Sequence, residues 1–112
     1  LSIDEVNTIQ SLVEQVQVDR SIAEYIVTIV HQTRQHHDLR LGVSPRGTLM
    51  FFRAVRASAF FAGRDYALPD DVQQLAPYIL PHRTTLTSKA RYGSRSKEDI
   101  VAEIVRGVKV PV

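Results

Sequence analysis

Ser44, Pro45, Arg46 and Gly47 stand in succession and combine residue types that suit anion chemistry at the start of a helix. Ser44 is a good N-cap, because its hydroxyl accepts a bond from a backbone N–H of the first turn. Pro45 then falls at the first helical position, where a missing N–H costs nothing and a fixed φ helps. Arg46 is the odd residue. A cation there sits against the positive end of the helix macrodipole, and no acid stands in that turn to offset it. A helix N-terminus with free N–H groups suits phosphate, and a guanidinium adds a bidentate donor for phosphate oxygens. Gly47 costs the helix about 1 kcal/mol relative to alanine, but it lets another surface come close. Two readings stand at this point. Either the missing anion comes from outside, or Arg46 reaches an acid in another segment such as Asp70 or Asp71.

Other chemistry-bearing residues offer less. The stretch has no Gly-rich phosphate loop followed by Lys and Ser or Thr, and no cysteine for thiolate chemistry. No Ser-His-Asp arrangement has supporting context. His36 and His37 are adjacent beside Asp38 and read as solvated loop residues rather than metal ligands; His31 reads as a core-edge residue, and no metal site is expected. Arg53 follows Arg46 by seven residues, on nearly the same helical face, and reads as a solvated or salt-bridged position, as does Arg56. "ARYGSRS" is basic with one aromatic and reads as a flexible surface loop.

The platform for Arg46 is helical. "LSIDEVNTIQSLVEQV" opens on a Ser2–Glu5 capping box, with Val6, Ile9, Val13 and Val16 at helical spacing. Asp19 caps a second helix, running to about His36, whose stripe is Ile22, Ile26, Ile29, Val30 and Thr33. After the loop "HHDLRLGV" a third helix is expected over roughly Pro45 to Ala62, ended by Gly63. Its run "LMFFRAVRASAFFA" is nearly apolar, as expected of a central helix packed on several sides, with its four phenylalanines in the core. Pro69 opens a fourth helix with Asp70 and Asp71 in its first turn, Pro77 predicts a kink or early end, and Tyr66 and Tyr78 read as packing residues. "HRTTLT" has the β-branched bias of a short strand. "SKARYGSR" reads as mobile, and "KEDIVAEIVRG" as a last helix capped by Ser96. The expected fold is all-α, a compact bundle of about five helices, with at most a minor strand pair made by "HRTTLT" and the C-terminal tail.

Composition agrees with one soluble domain: 112 residues, 44% hydrophobic and 23% charged, with a net charge of +2. A stand-alone helical binding module, even a DNA-binding one, is the alternative in a different class. Only three of the 14 basic residues are lysines and the third helix is too apolar for base reading, so nucleic acid is not the expected partner. No apolar run approaches transmembrane length. The chain opens at Leu1, directly ahead of a helix-start signal, and is expected to be a piece of something longer.

"LRLGVSPRGTLMFFRAVRASAFFAGRDYALPDDVQQLAPYILPHR" resembles the C-terminal lid of the MoxR family of AAA+ ATPases, through "GVSPR", "AVRASAFFAGRDY" and "PDDVQQLAPYILPHR". The resemblance extends from about Ile3 to the last helix and is strongest over residues 39–83. Gly47 stands where the family usually has alanine, and Leu68 where a hydroxyl residue often caps the helix. The resemblance implies that residues 1–112 are one lid domain, behind a nucleotide-binding core that lies upstream. It implies that Arg46 is the sensor-2 residue, which approaches the γ-phosphate of ATP, with Ser44, Pro45 and Gly47 around it in the first turn. It further implies Mg²⁺ with ATP in the full-length protein, hexameric rings with neighbouring subunits, and a cytoplasmic chaperone-like role. Partners with von Willebrand factor A domains follow from the same resemblance, as does the absence of ATP hydrolysis by the lid alone.

Overall fold

The structure is a computed structural model and describes residues 2–111. The elements run α1 (Ile3–Glu14), α2 (Arg20–Gln35), β1 (Leu39–Leu41), α3 (Pro45–Phe61), α4 (Pro69–Ile79), a 3₁₀ turn (Pro81–Arg83), β2 (Thr85–Leu86), α5 (Ser88–Tyr92) and α6 (Lys97–Gly107). Among the described residues, six helices and one two-stranded antiparallel sheet make a mostly helical domain.

Short polar side chains start the helices where the sequence predicts. Ser2 and Glu5 form the capping box of α1, and Asp19 accepts from the Ser21 N–H at 3.1 Å. Ser96 accepts from Asp99 N–H at 3.0 Å at the start of α6. The α3 helix ends in a Schellman motif. Gly63, at φ 82°, lets its own N–H reach the Phe60 carbonyl (3.0 Å) and the Arg64 N–H reach the Ala59 carbonyl (2.9 Å). An L-residue with a side chain resists that φ.

The core joins one stripe from each of four helices. Ile26 and Ile29 of α2, Phe51 and Val55 of α3, Val72 and Ala76 of α4, and Ile100 and Val101 of α6 are fully buried together. Each large apolar side chain in that set contributes roughly 1.5–3 kcal/mol by leaving water.

Several expectations are corrected. The strand "HRTTLT" pairs not with the C-terminal tail but with Leu39–Leu41, Leu39 opposite Leu86 and Leu41 opposite Thr85. Residues expected as a mobile loop form α5, capped by Thr87, which accepts from Ala90 N–H at 3.1 Å. The α4 helix passes through Pro77 without ending. The α3 helix packs against α1, α2 and α4, as expected of a central helix, but its phenylalanines are not all core: Phe51 is buried, Phe52 and Phe60 are half-buried and Phe61 is exposed, as are Leu49 and Met50. Tyr66 and Tyr78 are also exposed. Apolar composition records what a helix is able to bury, not how much of its surface this domain covers.

Candidate functional site

The segment from Gly42 to Gly47 is held from behind by α2. Thr33, fully buried, donates to the Val30 carbonyl (2.6 Å) and accepts from the Val43 N–H (3.0 Å). Arg34 donates its Nε–H to the Val43 carbonyl at 2.8 Å. Both backbone polar groups of Val43 are thereby satisfied by two consecutive side chains of α2, while the Val43 side chain enters the core. Gly42 makes this approach possible. A Cβ at that position would lie 2.5 Å from the Arg34 backbone nitrogen and 2.6 Å from its Cα.

Ser44 then caps α3 as its type predicts. It has extended backbone (φ −72°, ψ 165°), and its Oγ accepts from the Gly47 N–H at 3.0 Å. Pro45 occupies the first helical position. The terminus therefore has fewer free donors than a generic helix start. Pro45 has no N–H, Gly47 spends its own on Ser44, and among the described residues the Arg46 N–H is without a partner in the first three helical positions.

Arg46 is exposed and forms no ion pair or hydrogen bond among the described residues. Its candidate internal partner Asp71 is engaged elsewhere. Arg64 donates two bonds to that carboxylate, at 2.9 and 2.8 Å, and it also accepts from Ser58 Oγ (3.1 Å) and the Leu68 N–H (2.8 Å). Burial pushes the Asp71 carboxyl up, but these donors outweigh it and hold the group below its ordinary value. The last bond also supplies what Leu68, a residue without a polar side chain, does not: it secures the N-cap backbone of α4.

Gly47 is buried, and the surface that comes close to it belongs to the same chain. A Cβ there would stand 3.0 Å from Val43 Cγ1 and 3.1 Å from Arg83 Cδ. The remaining candidates lie elsewhere. His31 is exposed rather than at the core edge. His36 is not solvated: its ring bonds Glu103 Oε2 at 2.9 Å and accepts the Asp38 N–H at Nδ1, 3.1 Å away. That contact, reinforced by Arg95 at 3.0 Å, holds the Glu103 carboxyl below its ordinary value against slight burial. Among the described residues no group of three or more His, Asp or Glu could hold a metal ion, and no helix is long and apolar enough to cross a membrane.

Thr33, Arg34, Gly42 and Arg83 support the Val43–Gly47 segment that carries Arg46 and escape sequence reasoning. The one available signal was a glycine two residues before an N-cap, which marks a close backbone approach.

A corner with Arg46 presented on a capped, back-supported helix start is the setting in which likeness to known proteins becomes informative. Residues 31–104, from the last turn of α2 through this corner, α3 and α4 into α6, match the family model described as AAA lid domain. The chain belongs to the AAA lid domain family. This AAA lid is 50% identical over 104 residues to the uncharacterized protein YeaC of Bacillus subtilis, which covers 93% of the chain and 32% of YeaC. It is 32% identical over 103 residues to the chaperone MoxR1 of Mycobacterium tuberculosis, covering 84% of the chain and 27% of MoxR1. A 2.00 Å crystal structure of a candidate ATPase from Cytophaga hutchinsonii superposes on the AAA lid with a TM-score of 0.91 at 30% identity, over 97% of this chain and 36% of that one. The lid thus spans about a third of the length of these relatives. It is homologous to the lid region of MoxR-type AAA ATPases.

Proposed function

We propose that residues 1–112 act as one regulatory lid of a MoxR-type AAA+ ATPase, and that Arg46 is its sensor for the γ-phosphate of ATP. The observation that carries this reading is the state of Arg46. It stands exposed on the second residue of α3, with no acid to pair with among the described residues and with Asp71 already committed to Arg64. A guanidinium in that position is complementary to a phosphate, and the clamp of Thr33 and Arg34 on Val43 keeps it in place.

The residues present fit part of an ATP site. Arg46 would bond phosphate oxygens through its guanidinium, and its own backbone N–H is available beside it. Ser44 and Pro45 shape the turn, and Gly47 keeps it close against Val43 and Arg83. ATP supplies the group that is transferred; Mg²⁺ would be held by the core rather than by this lid. A cation on the γ-phosphate favours the charge distribution of phosphoryl transfer, and its release on hydrolysis would free the lid to move. The full-length protein then couples ATP hydrolysis to chaperone-like remodelling of partner proteins, in a hexameric cytoplasmic ring, with von Willebrand factor A domain proteins among its clients. The similarity to a protein named as a chaperone supports that role.

The test is ATP turnover by the full-length protein and by residues 1–112 alone. Turnover is expected from the first and none from the second, which has no P-loop sequence. Hydrolysis by the purified lid above a mock preparation would overturn the assignment.

A further inference from the structure

We propose that Arg83 is a second phosphate-binding cation of the same site, so that the terminal phosphate of the nucleotide is held by two guanidinium groups, one from the chain after β1 and one from the chain before β2. The proposal rests on the reading of Arg46 above and extends it to a residue in a different element.

The backbone of Arg83 is fixed. It closes the 3₁₀ turn by donating its N–H to the Leu80 carbonyl at 3.0 Å, next to Pro81 and Thr84, both buried. Thr84 Oγ1 donates to the Pro81 carbonyl at 3.0 Å and locks the following residue. Thr85 then pairs with Leu41 in the antiparallel sheet, so the chain through Thr84 and Arg83 is led back towards Gly42, Val43 and the start of α3. The side chain follows the same course. Arg83 Cδ packs against the open side of Gly47, 3.1 Å from the position a Cβ would take. Its stem therefore crosses the first turn of α3, one residue from Arg46. Beyond that stem the guanidinium forms no ion pair or hydrogen bond among the described residues.

A helix terminus alone would not make this a site, and here it is a weak one, because its cap leaves only the Arg46 N–H free. The corner nevertheless gathers Arg34, Arg46 and Arg83 around Val43 and Gly47, while the acids nearest in sequence are engaged: Asp38 with Arg95 and His37, and Asp71 with Arg64. Arg34 is spent on the Val43 carbonyl through its Nε. Both cations are left unpaired at the same end of the β1–β2 pair, and a multiply charged anion between two such cations outweighs their mutual repulsion. A terminal phosphate has oxygens enough for both forks.

The experiment is steady-state ATP hydrolysis by the full-length protein carrying Arg83→Ala, Arg83→Met, Arg46→Ala, or Arg46→Ala with Arg83→Met, each with a thermal melt. Arg83→Met keeps an apolar stem on Gly47 and removes only the cation. It is expected to lower kcat/KM at least about tenfold with an unchanged melt, in line with loss of a charge-assisted phosphate contact. The double variant should lose less than the product of the two single losses, because both groups act on one phosphate. If Arg83→Met hydrolyses ATP as the parent does while Arg46→Ala is impaired, Arg83 is a packing residue and the proposal fails while the Arg46 reading stands. If Arg46→Ala is also unimpaired, the reading beneath it fails. If only Arg83→Ala is impaired and its melt falls, the stem and not the charge is what matters, and the proposal is again overturned.

Discussion

Arg64 holds Asp71 through two parallel bonds of 2.9 and 2.8 Å, tying the end of α3 to the first turn of α4. The Schellman turn at Gly63 delivers the guanidinium, and the carboxylate it meets is 2% exposed. This pair explains why Asp71 does not serve Arg46: the nearer structural demand is a buried carboxylate that needs a counter-ion. Removing Arg64 leaves that carboxylate stranded. Arg64→Ala is expected to cost about 3 kcal/mol and to lower Tm on the order of 10 °C, as read by a thermal melt. A melt indistinguishable from the parent would show that Ser58 and the Leu68 N–H suffice for Asp71.

The same carboxylate sets a pH dependence. The Asp71 pKa is lowered in the fold: burial raises it, and the bonds from Arg64, Leu68 and Ser58 prevail. Its contribution is therefore complete above the ordinary carboxylate pKa of about 3.9 and is lost as pH falls through the lower folded value. Glu103 acts in the same direction, lowered chiefly by its bond with His36. Urea midpoints should hold steady from neutral pH to near 4 as far as these two groups decide, then fall. Asp71→Asn should be less stable at neutral pH and show a shallower acid decline; an identical decline would assign acid sensitivity to other groups.

Gly42 makes a sharper packing prediction. A Cβ there would overlap the α2 backbone at Arg34, which has no rotamer to yield. Gly42→Ala should destabilise the lid by about 1–3 kcal/mol and loosen the Val43 bonds that support Arg46. Hydrogen exchange at the Val43 amide, bonded to Thr33 at 3.0 Å, is the local readout. Parent-like protection in the variant would mean that α2 and the loop separate without cost.

His36 has a defined tautomer. Nδ1 accepts the Asp38 N–H, so the neutral ring carries its proton on Nε2 and donates it to Glu103. Imidazole nitrogen shifts of the neutral ring should mark Nδ1 as the unprotonated nitrogen. The reverse pattern would contradict the bond to Asp38.

The helices were legible because their signals are local. Ser2, Asp19, Ser44 and Ser96 each cap the helix that follows, and the stripe of Ile22, Ile26, Ile29, Val30 and Thr33 is buried as spaced. Contacts between distant segments were not legible. Strands of three and two residues carry no period from which Leu39 could be matched to Leu86. His36 looks like a loop residue until α6 brings Glu103 against it. Thr33 was read as part of an apolar stripe, whereas its hydroxyl holds Val43. At the candidate site Ser44, Pro45 and Arg46 could be read from their order alone, but Arg34, Gly42 and Arg83 reach the same corner only through tertiary packing.

The most direct measurement is the steady-state ATPase rate of the full-length protein with Arg46→Ala. Arg46 stands exposed and without an acid partner among the described residues, so no internal ion pair is lost, and relief of an unfavourable dipole contact leaves the melt unchanged or slightly raised. The expected result is a kcat lowered by about 10³ or more, as for arginines that neutralise developing phosphoryl charge, with a smaller loss in ATP binding. Arg46→Lys should rescue poorly, because an ammonium cannot make the bidentate contact. Normal turnover by Arg46→Ala in a folded lid would contradict the assignment of Arg46 to the γ-phosphate.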